Sequence, residues 1–126
     1  MKRLGSLLFW AAALVALIVA GRFFLRPPVV TVVVVNASKK PIQWAHLVHK
    51  HGVNRAAGVQ PIGAIPVGES RTVRYRSPGE SEYELTVHFT DGSEVRGGAG
   101  YAEAGYRCTE TVSDTRISGD QRLSKY

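Results

Sequence analysis

Apolar positions along the chain fall into two regimes. From Leu4 to Leu25 it reads LGSLLFWAAALVALIVAGRFFL, apolar around the whole circumference of a helix, with Arg22 as its one charge. About 20 apolar residues suffice to cross a bilayer as a helix. The run therefore predicts one transmembrane signal anchor over 4–25, preceded by a short basic tail, 1–3, and followed by a proline linker, 26–28. The competing reading is a cleaved signal peptide, with Lys2 and Arg3 as its basic region and Val19, Ala20 and Gly21 as its cleavage site. Against it, the run outlasts the usual apolar core of such peptides, has no polar segment before that site, and continues through Phe23, Phe24 and Leu25.

Beyond Pro27 and Pro28, which end any helix, the period falls to two. Val29–Val35, broken only by Thr31, predicts a central strand covered on both faces. IQWAHLVHKH after Pro41 predicts a strand with a bulge or a change of face, ended by Gly52. Val53–Gly68, with three glycines and two prolines, reads as a loop carrying one short strand around Ile62–Ile65. Arg71–Arg76 and Tyr83–Phe89 alternate cleanly. A hairpin symmetric about Gly79 would set Tyr75 opposite Tyr83, Arg74 opposite Glu84 and Arg76 opposite Glu82, giving the charges a structural role as cross-strand pairs. A loop of Thr90, Asp91 and Gly92, with Gly92 left-handed, aligns Val87 with Val95 and His88 with Glu94. A last hairpin would join Tyr101 to Tyr106 and bring Cys108 to face Ala99.

Six or seven short strands within 29–113 predict an all-β fold, a small antiparallel β-sandwich of immunoglobulin-like or fibronectin-like architecture, with a small barrel as the alternative. Residues 114–126 read as a loose polar tail.

The net charge of +6 changes this picture little, because Lys2, Arg3, Arg22 and Arg26 flank the apolar run. From Pro27 onward, 12 basic residues face 10 acidic ones. With signs largely alternating there, nucleic acid is not expected as a partner. Lys2 and Arg3 favour a cytoplasmic N-terminus, placing the domain in the periplasm or outside the cell on a single-pass inner-membrane protein, although Arg22 and Arg26 oppose them. Asn36, Ala37 and Ser38 form a glycosylation sequon, a pattern common by chance.

Candidate chemistry is sparse. His49 and His51, two apart on a strand, project from one face and would be the ligands of a shared Zn or Cu ion, while His46 has the opposite parity. The rival reading is surface histidines at a strand end. Cys108, the one cysteine, reads as a buried core thiol, with an intermolecular disulfide as the alternative. GGAGYAEAG lacks the spacing of a phosphate loop. Its Gly97, Gly98, Ala99 and Gly100 instead predict a thinly covered strand that a partner could press against, or a close-packed bend. With no spaced catalytic signature, no enzyme and no cofactor are expected. The sequence points to a membrane-anchored accessory protein of the cell envelope that binds another envelope protein. Metal delivery through the histidines and neutralisation of a toxin are the alternatives.

Overall fold

A computed structural model describes residues 2–24, 29–52 and 58–123, with 2–5, 7, 23, 24, 99 and 123 described by their backbone alone. One helix, α1 (Lys2–Phe24), precedes eight strands: β1 (Val29–Asn36), β2 (Ile42–His51), β3 (Gly58–Ile62), β4 (Ser70–Arg76), β5 (Ser81–Phe89), β6 (Glu94–Ala102), β7 (Tyr106–Val112) and β8 (Ile117–Leu123). The strands form two four-stranded sheets, ordered β4-β1-β7-β8 and β3-β2-β5-β6. The β-domain is thus a two-sheet, sandwich-like all-β fold.

The expected transmembrane helix is met only as a helix. Among the described residues no helix is long and apolar enough to cross a membrane.

Period-two alternation sends every second side chain of β1 inward. Val30, Val32 and Val34 are fully buried, while Val29, Thr31, Val33 and Val35 are half-buried on the outer face. β1 is central, as expected, although its outer face is only partly covered. Facing it across the core are Ala45, Leu47, Leu85, Val87 and Phe89 of the second sheet. Each fully buried side chain of this size contributes about 1.5–3 kcal/mol.

The pairing of strands departs from expectation in two places. β4 does not fold onto β5: it pairs antiparallel with β1, so that Tyr75 lies opposite Val30, Arg74 opposite Thr31 and Arg76 opposite Val29. Ser77–Glu80 crosses from one sheet to the other, and the expected Arg–Glu cross-strand pairs do not form. Alternation explains why: it fixes which face Val73 and Tyr75 present, and β1 as a neighbour satisfies that face as well as β5 would. Likewise the segment between Tyr101 and Tyr106 crosses from one sheet to the other rather than turning as a hairpin. β7 runs parallel to β1, and Cys108 sits between Val32 and Gln121 instead of facing Ala99.

Other readings hold. The register of β2 against β5 shifts between Ile42 and Trp44, where the bulge or face change was expected. Val87 pairs with Val95 and His88 with Glu94 around the Thr90–Gly92 loop, with Gly92 at φ 85°. Lys40 fastens that loop by an ion pair to Asp91 at 2.7 Å. The short strand expected around Ile62–Ile65 falls earlier, as β3, and beyond Ile62 only Ile65 pairs, in a single bridge to Ile42; residues 53–57 of the same expected loop lie outside the described residues. Asn36 is fully buried and donates to the carbonyls of Lys40 and Ile65, both at 2.9 Å, so the sequon amide is unavailable to a glycan.

The expected polar tail is corrected outright, since 117–123 forms β8 and extends the domain past Ser113. β8 pairs with β7 over seven residues and covers β6, with Gln121 donating to the Tyr101 carbonyl. Truncation after Ser113 should therefore lower the thermal midpoint sharply and uncouple the edges of β6 and β7, measurable by thermal denaturation; an unchanged midpoint would restore the loose-tail reading.

Candidate functional site

Among the described residues, polar side chains gather both inside the sandwich and on its surface. At the end of β2, His49 points inward. Its ring stacks on Tyr75 of the opposite sheet with centroids 4.3 Å apart and planes 13° apart. Gly58 makes room for it, because a Cβ there would stand 2.3 Å from His49 Nε2. His49 and His51 do share a face, and His49 Nδ1 lies 2.9 Å from His51 Nε2, a separation at which one hydrogen is shared between the two nitrogens. The remaining nitrogens, His49 Nε2 and His51 Nδ1, are enclosed without a hydrogen-bond partner among the described residues. Burial first, and then His51, hold the His49 imidazole below its usual 6.5.

As metal ligands the two histidines supply half of a closed tetrahedral set. Among the described residues no group of three or more His, Cys, Asp or Glu comes together to hold an ion. His46 has the opposite parity, as expected, and lies on the outer face.

Deeper in the core, Tyr83 of β5 donates to Oε1 of Glu110 of β7, joining the two sheets. Glu110 is fully buried. Burial and this hydrogen bond raise the Tyr83 phenol far above the tyrosine range, so Tyr83 remains a donor. Burial likewise raises the Cys108 thiol, which is fully enclosed, in line with the expected core cysteine. The Tyr75 and Ser81 hydroxyls lie 2.9 Å apart, and Ser81 donates to the Ala102 carbonyl. The sequence reading missed Glu110. Its signal was parity: Cys108, Glu110 and Val112 alternate on one face, which places a carboxyl among core positions.

The outer face of the second sheet is the accessible candidate. Trp44, 44% exposed, stacks on His88 with centroids 3.6 Å apart and lies 5.5 Å from His46. His88 Nδ1 is 3.4 Å from Glu94 Oε2, and Arg96 binds the other carboxyl oxygen at 2.5 Å. Arg96 chiefly holds the Glu94 carboxyl below its usual range. Farther along, two adjoining recesses open over Lys50 and Glu82. One, of about 350 Å³, is lined also by Glu80, Ser81 and Tyr101; the other, of about 280 Å³, by Val48, Tyr83, Glu84 and Gly100.

The predicted glycine surface divides accordingly. A Cβ on Gly97 would meet Ile117 Cβ at 3.1 Å, and one on Gly98, at φ 140°, would meet Tyr83 Cε2 at 3.3 Å, so both positions serve close packing. Gly100, at φ 78°, faces open space and lines the smaller recess. The side chain of Ala99 lies outside the described residues.

The imidazole pair predicts an acid-labile fold. With its folded pKa depressed, His49 is neutral in the folded state while the unfolded chain binds a proton below about 6.5. Its contribution is complete above that pH, is lost as pH falls from there toward the depressed value, and then levels off. Urea midpoints measured against pH should show this limb, and His49→Gln should flatten it; an equally steep limb in the variant would contradict the assignment.

No family model and no curated protein matches the chain. Among solved structures it is similar to the NMR structure of a protein from Eubacterium rectale, at 11% identity and a TM-score of 0.50, over 78% of this chain and 92% of that one, a likeness of fold alone.

Proposed function

We propose that the chain is a non-enzymatic accessory protein of the cell envelope, tethered to the inner membrane by its N-terminal helix and binding another envelope protein through the outer face of its second sheet. The observation that carries this reading is the stack of exposed Trp44 on half-buried His46 and His88, on the same face as the recesses over Lys50 and Tyr101. It combines apolar aromatic area with shaped concavity and charged groups at its border, the composition that concentrates binding energy at protein interfaces. The groups with reactive potential, Tyr83, Glu110 and Cys108, are buried in the core, which favours binding over catalysis.

The tether rests on the apolar run Leu4–Leu25 and on eight large apolar side chains of α1, Leu8 through Val19, each 56–74% exposed. A helix apolar on all sides suits a lipid environment or a buried position in a larger assembly. Lys2 and Arg3 favour a cytoplasmic N-terminus and a periplasmic domain. An immunoglobulin-like or fibronectin-like relationship is proposed at the level of two packed sheets of short strands; the parallel β1–β7 pair is its point of difference.

The test is affinity capture of the full-length protein from detergent-solubilised membranes. Wild type should retain an envelope partner. The double substitution Trp44→Ala and Tyr101→Ala should weaken retention on the order of 30-fold, the scale of losing one interface hot spot. Recovery of the chain alone, or equal retention by the variant, would contradict the reading.

A further inference from the structure

The near-balance of charge from Pro27 onward conceals a segregation that appears only when the strands are paired. On the outer face of the first sheet, Arg74 of β4 and Arg107 of β7 flank Thr31 of β1 on its two sides. Arg122 of β8 lies directly opposite Arg107, and Arg76 lies opposite Val29. All four arginines are exposed. With strands about 4.8 Å apart, Arg74, Arg107 and Arg122 form a row about 14 Å across.

The outward positions of these four strands carry one carboxylate, Asp120, which binds Arg122 at 3.2 Å. Arg107 opposite Arg122 is a like-charge cross-strand pair, an arrangement that destabilises a sheet unless an anion offsets it. The second sheet's outer face, by contrast, carries Glu82, Glu84 and Glu94 against Lys50 and Arg96. The domain is electrically two-sided.

The position of the band identifies its occupant. Val29 and Thr31, which anchor its rows, are at the start of the domain. Five peptide steps separate Phe24 from Val29, a reach of at most about 18 Å. If α1 is a membrane tether, that reach lets the arginines approach the headgroups to within the roughly 10 Å over which an anionic surface potential falls off. We propose that the Arg74, Arg76, Arg107 and Arg122 band docks the domain onto anionic lipid headgroups of the membrane to which it is tethered. Docking in this way turns the Trp44 face outward for its partner. The inference rests on the tether reading and adds a lipid-binding face and a fixed orientation.

The test uses the full-length protein in vesicles of phosphatidylcholine alone or of phosphatidylcholine with phosphatidylglycerol, each containing spin-labelled headgroups. A fluorophore on Ala104→Cys reports proximity; Ala104 is exposed, and its neighbour Gly105 bonds the Val29 carbonyl at 2.9 Å. The native Cys108 is buried away from the dye. Quenching should be stronger in the anionic vesicles and should be relieved by high salt. Because each arginine near an anionic surface is worth on the order of fivefold, Arg74→Gln, Arg107→Gln and Arg122→Gln together should lower the docked-to-undocked ratio on the order of a hundredfold; Arg107→Gln alone should give a partial loss. Equal quenching in both vesicle types, or quenching indifferent to the substitutions, would overturn the band as a lipid-docking face. Tighter retention of duplex DNA than of anionic vesicles in the same salt would overturn lipid as its occupant. Failure of the protein to float with either vesicle would instead overturn the tether on which the proposal rests.

Discussion

A carboxyl buried without solvent contact must be hydrogen-bonded or it destabilises the fold by several kcal/mol. Glu110 is such a group, and Tyr83 reaches it from the opposite sheet. That contact requires β5 and β7 to face one another in a single relative position, a constraint that apolar packing alone imposes weakly, because valines and leucines accept many neighbours. Around it, Tyr75 and Ser81 join the end of the first sheet to the start of β5, and Ser81 holds the Ala102 carbonyl at the end of β6. Two of the four connections that cross between the sheets, 77–80 and 103–105, leave from this same polar end. The strand connectivity and the buried polar network therefore support one another.

The same constraint separates interior from exterior function. Tyr83, Cys108 and His49 lie in the interior: burial raises the Tyr83 phenol and the Cys108 thiol and lowers the His49 imidazole, which stacks on Tyr75. The two outer faces differ in kind. The second sheet presents aromatic area and recesses; the first presents the guanidinium groups of Arg74, Arg76, Arg107 and Arg122.

Alternation made much of this legible in the sequence. It placed β1 at the centre, set the Thr90–Gly92 loop with its register, put His49 and His51 together, and assigned Cys108 to the core. Alternation also explains the failures, because a period of two specifies a face and leaves the neighbouring strand open. The apparent fit of Arg74 and Arg76 to Glu84 and Glu82 was consistent in pattern, yet β1 provided an equally good inner face and took β4. β8 escaped notice because ISGDQRL carries a single strong apolar residue before Leu123, and its stability comes from pairing with β7 and covering the glycines of β6. Those glycines were read correctly as a place of close approach, but the approaching groups at Gly97 and Gly98 belong to the domain itself. The arginine band was illegible for a different reason: its members come from three strands far apart in sequence, and only the register adds their charges.

The contact between the sheets is tested most directly by a double-mutant cycle on Tyr83→Phe and Glu110→Met, with stability measured by urea denaturation. If the two side chains hold the sheets in register, the single substitutions will each destabilise and will couple by about 0.5–3 kcal/mol, the range for residues in direct contact. Effects that simply add, to within about 0.5 kcal/mol, would show that the sandwich is registered by its apolar core instead.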